Sequence, residues 1–501
     1  MAFEPIYEVA ALDCKKKICS SQIVVETRLI PPANVGISKI LAITSDVTAT
    51  TTEVFSQEAR VSGRVNFKLL YLSQDNENKN LDCNVDFSDR INDENIQSGK
   101  PIIKAKILDA KVIDFSADEV KLSAVVEIEL YDQRATRTKY LTKGNDNIYT
   151  HEHKVEYTSL VATIDDMFSV ETEEDIMCEQ ILTYDTAVCV KNFETQMDEI
   201  KIAGEFILRA VVVASDGIKS IEIYCPFINE SRADGVRSDN IVDCCVNIVS
   251  TEIEITQGKL KVCYKGNVRG YVYAQQSMNA VCDAFSVANE LNKQLSNINY
   301  DVAKGCFSIV DDVDGSITLD NNMPIADNIL AAAGTNIHLA NVYAQDGKIV
   351  AEGMVSTNLV YYSSEANAVN SVKAEIPFVL EKNAPISENN EVFAEGYITR
   401  ISHRVRRGNE LSVKAEICLI VSVCEHRSVE IITSLVEGEE IPVPTSAISL
   451  HIARPNESLW EVAKALSTTP ELVLVQNPNL SLPLMGGERI VAYRHLKKSN
   501  S

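Results

Sequence analysis

The side chains that could carry chemistry are present but poorly spaced for it. Seven histidines and thirteen cysteines would be the first candidates for catalysis or metal binding. His151-x-His153 is a lone pair in a polar stretch, which reads as a solvated loop rather than a metal site. No Cys-x-x-Cys occurs, Cys14 and Cys19 stand alone, and Cys244-Cys245 lies in an apolar, strand-like run where packing is the better reading. A calcium loop placed on Gly315 would need an acid at Val310 and a glutamate at Asn321, so Asp311 to Gly315 reads as a polar turn. Gly-x-Ser-x-Gly, His-Glu-x-x-His, a Walker loop and Gly-x-Gly-x-x-Gly are absent. The expectation is a non-enzymatic protein with no metal and no cofactor.

The residues best placed to bind something lie near the C-terminus: Asn456, Glu457, Ser458, Leu459, Trp460, Asn477, Pro478, Gly486 and Gly487. Ile448, Leu450 and Ile452 alternate as a strand, and Pro455-Asn456-Glu457 turns the chain. Ser458-Leu-Trp-Glu461 is a capping box that opens a helix with Leu459, Val462, Ala463 and Leu466 as its apolar stripe. Thr469-Pro470-Glu471 starts a second helix, which Asn477-Pro478 stops. Gly486-Gly487 then turns into a closing strand, Arg489 to Tyr493. Trp460, the only tryptophan, falls just outside the stripe, and core and interface both remain open for it.

The elements ahead of this region repeat. Val61-Ser-Gly63-Arg-Val65-Asn-Phe67, Ile202-Ala-Gly204-Glu-Phe206 and Ala351-Glu-Gly353-Met-Val355 align, with their glycines 141 and 149 residues apart. Each alternates as a half-buried strand, and the shared glycine marks a bulge or a close backbone approach. A second alternating strand follows, ending at Phe87, Phe227 and Phe378, with polar turns at 73–80, 215–217 and 363–370. A later pair completes the unit, as at 107–112 with 120–128 and at 398–403 with 411–419. The fold class is mainly β: three β-rich repeats, sandwiches or partly open barrels, then a small βααβ domain. The acidic stretches at Glu171 to Asp175 and Asp311 to Gly315 suggest boundaries, giving repeats over 1–165, 166–310 and 311–432. An acidic, proline-bearing linker at 433–447 and a terminal domain at 448–496 follow.

The bulk numbers limit the partners. A formal charge of −24 disfavours nucleic acid, and the longest nearly apolar run, Ala415 to Cys424, is too short to span a bilayer. The N-terminus lacks the pattern of a signal peptide, and an odd number of cysteines favours reduced thiols, so the expectation is a protein that is not secreted. Residues 448–501 hold six Lys/Arg against four Asp/Glu, while the rest carries 41 against 67, a net −26. A mildly basic module on an acidic body could steer the orientation of a partner.

The turn before Ser458-Leu-Trp460, the closing Asn477-Pro478 and the late glycine before the last strand resemble the LysM domain. That resemblance implies N-acetylglucosamine binding between the loop at Asn456 to Ser458 and the loop from Asn477 to Gly486. Asn456-Glu457 stands where Gly-Asp is usual. Three such β repeats ahead of a LysM domain are similar to the SPOCS-repeat proteins of spore-forming clostridia. The likeness implies a spore-coat morphogenetic scaffold in the mother-cell cytoplasm at the forespore surface. It would bind the coat ATPase SpoIVA and other coat proteins, with peptidoglycan as the alternative ligand.

Overall fold

The computed structural model describes residues 4–493, apart from 34, 97–100, 145–147, 216, 257, 385, 408 and 443–445. Part of the expected linker, Asp216 of the second expected turn, and residues 494–496 therefore lie outside the described residues.

Among the described residues, eighteen strands fall into three equivalent sets of six. The first set is β1 (Ile6–Leu29), β2 (Ile37–Phe55), β3 (Glu58–Ser73), β4 (Asn78–Asn92), β5 (Ile102–Phe115) and β6 (Val120–Lys143). The second is β7 (Ile148–Glu174), β8 (Gln180–Gln196), β9 (Glu199–Ala214), β10 (Gly217–Arg232), β11 (Ile241–Thr256) and β12 (Lys259–Ser286). The third is β13 (Asn289–Thr318), β14 (Asn328–Gln345), β15 (Lys348–Ser363), β16 (Ala368–Asn383), β17 (Asn390–Val405) and β18 (Glu410–Glu440). In each set strands two to four form an antiparallel meander, and the sixth strand lies between the first and the fifth. The two three-stranded sheets share one core. In the first unit, Val65, Phe67 and Leu69 of β3 meet Leu122, Ala124, Val126 and Ile128 of β6. Each unit is thus a sandwich rather than a barrel.

The repeated glycine has a single physical explanation. Gly63 pairs with Phe87, Gly204 with Phe227 and Gly353 with Phe378. A Cβ on these glycines would come within 2.3, 2.7 and 2.7 Å of the facing phenyl ring. It would also come within 2.5, 2.5 and 2.4 Å of a carbonyl on the neighbouring strand. The phenylalanine lies over the gap that its glycine leaves, so the two positions form one packing unit.

Pairing divides the chain differently from its charge pattern. β7 pairs with β12 along its whole length and β13 with β18, so one unit ends with Lys143 and the next starts with Ile148, and the second ends with Ser286 and the third starts with Asn289. Most of the acids that suggested interruptions lie on strands and pair with a lysine of another strand. Glu171 pairs with Lys261 at 2.9 Å, Asp311 with Lys382 and Asp312 with Lys414, each at 2.8 Å. Asp311 to Gly315 is strand, not turn. Residues 433–440, expected as linker, extend β18 against the start of β13.

The units share an axis. Beyond each sandwich the first and last strands continue as a two-stranded ribbon, Ile6 opposite Lys143, Ile148 opposite Ser286, and Asn289 opposite Glu440. The ribbons pack as a stem whose core takes Leu12 and Tyr140 from the first, Val155 and Met278 from the second, and Tyr300 and Ile431 from the third. β1 runs roughly 80 Å at the usual rise per residue. Past its far end, Leu41, Leu70, Leu182, Val211, Ala331 and Val360 join the meanders of all three units. Between stem and meanders, Lys15, Asp243 and Ser422, one per unit, converge: Lys15 pairs with Asp243 at 2.5 Å, and Ser422 Oγ donates to Asp243 at 2.9 Å.

Candidate functional site

The C-terminal domain comprises β19 (Ile448–Ile452), α1 (Leu459–Ala465), α2 (Pro470–Gln476) and β20 (Arg489–Tyr493), with β19 and β20 antiparallel. Both helix starts are capped as their residue types require. Ser458 Oγ accepts from Glu461 N–H at 3.2 Å while Glu461 accepts from Ser458 N–H at 2.8 Å. Thr469 Oγ1 accepts from Leu472 N–H at 3.1 Å, ahead of Pro470. Val462, Ala463 and Leu466 pack with Val473, Leu484, Ile490 and Ala492 in a core of the domain's own, with Leu459 at its margin.

The two candidate binding loops do come together. Asn456, at φ +60°, donates its N–H to Leu484 O at 3.1 Å, and Gly487 N–H donates to Ala453 O at 2.8 Å. Gly486 and Gly487 take φ +95° and +93°, and the Glu488 carboxylate accepts from Gly486 N–H at 2.8 Å. Several candidate side chains, however, hold the fold rather than face a ligand. Asn477 clamps α2 to β20: its Nδ2 donates to Val473 O and Val491 O, both at 2.8 Å, and its Oδ1 accepts from Val491 N–H at 2.9 Å. Glu457 accepts from Arg454 N–H at 2.8 Å and bonds His451 at 2.9 Å, and these contacts hold its carboxyl below the ordinary range. Pro478 is exposed directly after the clamp.

Trp460 is neither in the domain's core nor free. It leaves α1 on the side away from the stripe and docks against the stem. Its ring stacks on His151 of β7, with centroids 5.1 Å apart, and meets Phe285 of β12 edge-on at 5.0 Å. Its indole N–H donates to Asp283 Oδ2 at 2.9 Å, and Lys464 reaches the same oxygen at 2.8 Å. Lys293 of β13 donates to the other carboxylate oxygen at 2.5 Å. Burial disfavours the charged Asp283, but the bonds from Lys293, Lys464 and Trp460 outweigh it and hold the carboxyl well below its usual range. One carboxylate thus ties two stem ribbons to the C-terminal domain. His151, expected in a solvated loop, is part of a strand, and its register opposite Asp283 makes half of the dock. Asp283, Phe285, Lys293 and Lys464 carry no local motif, and sequence reasoning missed them.

The outer face of the terminal hairpin stays uncovered. Ile448, Leu450 and Ile452 are 58, 59 and 60 % exposed, and Tyr493, paired with Ile448, is 56 % exposed. Among the described residues no cluster of three or more His, Cys, Asp or Glu could hold a metal ion, and no helix is long and apolar enough to cross a membrane.

No curated protein and no solved structure gives a significant match to this chain. Residues 36–118 match the family model described as SipL, SPOCS domain, a stretch that runs from the start of β2 to the turn between β5 and β6. The first of the three six-stranded units therefore carries a stretch similar to the SipL SPOCS domain, a domain associated with sporulation.

Proposed function

We propose that this protein is a non-enzymatic scaffold of spore-coat morphogenesis that binds the coat ATPase SpoIVA through its C-terminal, LysM-type domain. By doing so it localises and assembles the coat at the forespore surface, on the mother-cell side. The observation that carries this reading is the SPOCS match within a unit built three times and followed by a strand, helix, helix, strand domain. The exposed apolar row Ile448, Leu450, Ile452 and Tyr493 supports a protein ligand for that domain, because a row of large apolar side chains on one sheet face suits a partner surface. Asn477 and Glu457 support the same choice, since their polar groups are already spent inside the fold.

The test is affinity purification from sporulating cells of the full chain beside residues 1–447. Recovery of the coat ATPase with the full chain alone is the expected result, and Leu450→Asp should lose it while the domain stays folded. Recovery with neither chain would overturn the reading. Peptidoglycan is the second reading, favoured by the closeness of the Asn456 and Leu484 loops. It predicts that the full chain sediments with purified cell wall and that residues 1–447 do not.

A further inference from the structure

Strand β18 presents two different faces along its middle. Ile417, Leu419, Val421 and Val423 point into the core of their own unit. The intervening residues serve the neighbours: Ile420 enters the core of the second unit, and Ser422 bonds Asp243 of the second unit and Lys15 of the first. The remaining two members of that face are cysteines, and each meets a cysteine of a different unit. Cys424 Sγ lies 2.8 Å from Sγ of Cys14 on β1, and Cys418 Sγ lies 3.2 Å from Sγ of Cys189 on β8. The paired residues are 410 and 229 positions apart, and all four are buried free thiols.

We propose that Cys14 with Cys424, and Cys189 with Cys418, are two disulfide-forming sites whose oxidation joins the third unit covalently to both of the others. Packing of small apolar side chains would account for buried cysteines in general. It does not account for four of them meeting in pairs, sulfur to sulfur, at both borders of one strand. Bond formation asks the sulfurs to close to about 2.05 Å, a short movement from contacts this near. The oxidant is a small disulfide such as oxidised glutathione. One thiolate attacks it and forms a mixed disulfide, releasing one thiol. The partner thiolate then displaces the second thiol, so two electrons pass to the oxidant and the two protein protons leave on the released thiols. Because the pairs are sealed, reaction proceeds through local opening of the β18 borders. The product links the first strand of the structure to the last strand of the three-unit body.

The full chain would be equilibrated with oxidised glutathione, its remaining thiols alkylated, and its peptides mapped without reduction. The expected result is a monomer with two linked peptide pairs, Cys14 to Cys424 and Cys189 to Cys418. It should migrate faster than the reduced chain on a denaturing gel and melt at a higher temperature until reduced. Cys14→Ser should remove the first link alone and Cys189→Ser the second alone. Because either serine could disturb a buried border, the unsubstituted chain decides. A pair that is still fully alkylated once the less buried Cys263 and Cys282 carry glutathione, or that appears scrambled with other cysteines, is packing only, and its assignment fails.

Discussion

The indole N–H of Trp460 donates to Asp283 at 2.9 Å, across 177 positions of sequence, and Lys464 bonds the same oxygen. This contact places the small C-terminal domain on the stem of the three-unit body. The domain's core does not include Trp460, so docking and folding of the domain are separable.

Asp283→Ala should therefore release the domain without unfolding it. Loss of two charge-assisted or polar bonds to the dock removes about 2 kcal/mol. Trp460 is the only tryptophan, so its emission should shift to the red as its stack with His151 opens, while helical circular dichroism is unchanged. An unshifted spectrum would mean that the rings alone hold the dock.

Acidification acts on the same carboxylate, and the sign follows from the direction of its shift. Burial opposes ionisation, the bonds from Lys293, Lys464 and Trp460 overcome it, and the folded group lies below its ordinary value. Its contribution is complete above the unfolded value of about 3.9 and disappears as pH falls through the lower folded value. Hydrogen-exchange protection of the Trp460 indole N–H, which Asp283 accepts, should hold from neutrality down to about pH 5 and be lost only in strong acid. A transition near neutrality would show that Asp283 does not govern the dock.

The glycines opposite phenylalanine give a stability prediction that repeats three times. In Gly204→Ala the new Cβ would stand 2.5 Å from Cys189 O and 2.7 Å from the Phe227 ring. Backbone cannot yield cheaply there, so the cost should be about 3 kcal/mol by thermal or denaturant unfolding. Gly63→Ala and Gly353→Ala should cost similar amounts, because the same two contacts recur.

The ion pair on the axis predicts the largest single loss. Lys15 and Asp243 are each 6 % exposed and belong to different units. Lys15→Ala leaves the Asp243 carboxylate buried with Ser422 as its remaining donor, a cost of about 3–5 kcal/mol. Lys15→Met with Asp243→Leu should recover most of that cost, and a double variant as unstable as the single would show that the charges do more than cancel each other.

Much of the sheet structure was legible because a strand with one buried face must alternate. The hairpins at Val61 to Phe87, Ile202 to Phe227 and Ala351 to Phe378 follow that rule, as does the shared glycine. The first two strands of each unit were not legible. They are long, and mixed burial along β1 and β7 hides a period of two. A signal for packing about the axis was present in Leu69-Leu-Tyr-Leu72, where alternation gives way to a continuous apolar run buried on both faces. Acidic runs misled the boundaries because charge on a strand's solvent face resembles charge in a loop.

The sequence by itself determined the local elements: the capping box, the Pro470 helix start, the turn glycines and the alternation of the paired strands, all of which depend on residues within a few positions of one another. Only the tertiary structure decided that Trp460 binds its own stem, that Asn477 is a clamp, and that Cys14 meets Cys424. Those contacts join residues separated by 14 to 410 positions. Such pairings leave no periodic trace in the chain, because the partner that gives each residue its role is fixed by how whole units pack and not by its neighbours in sequence.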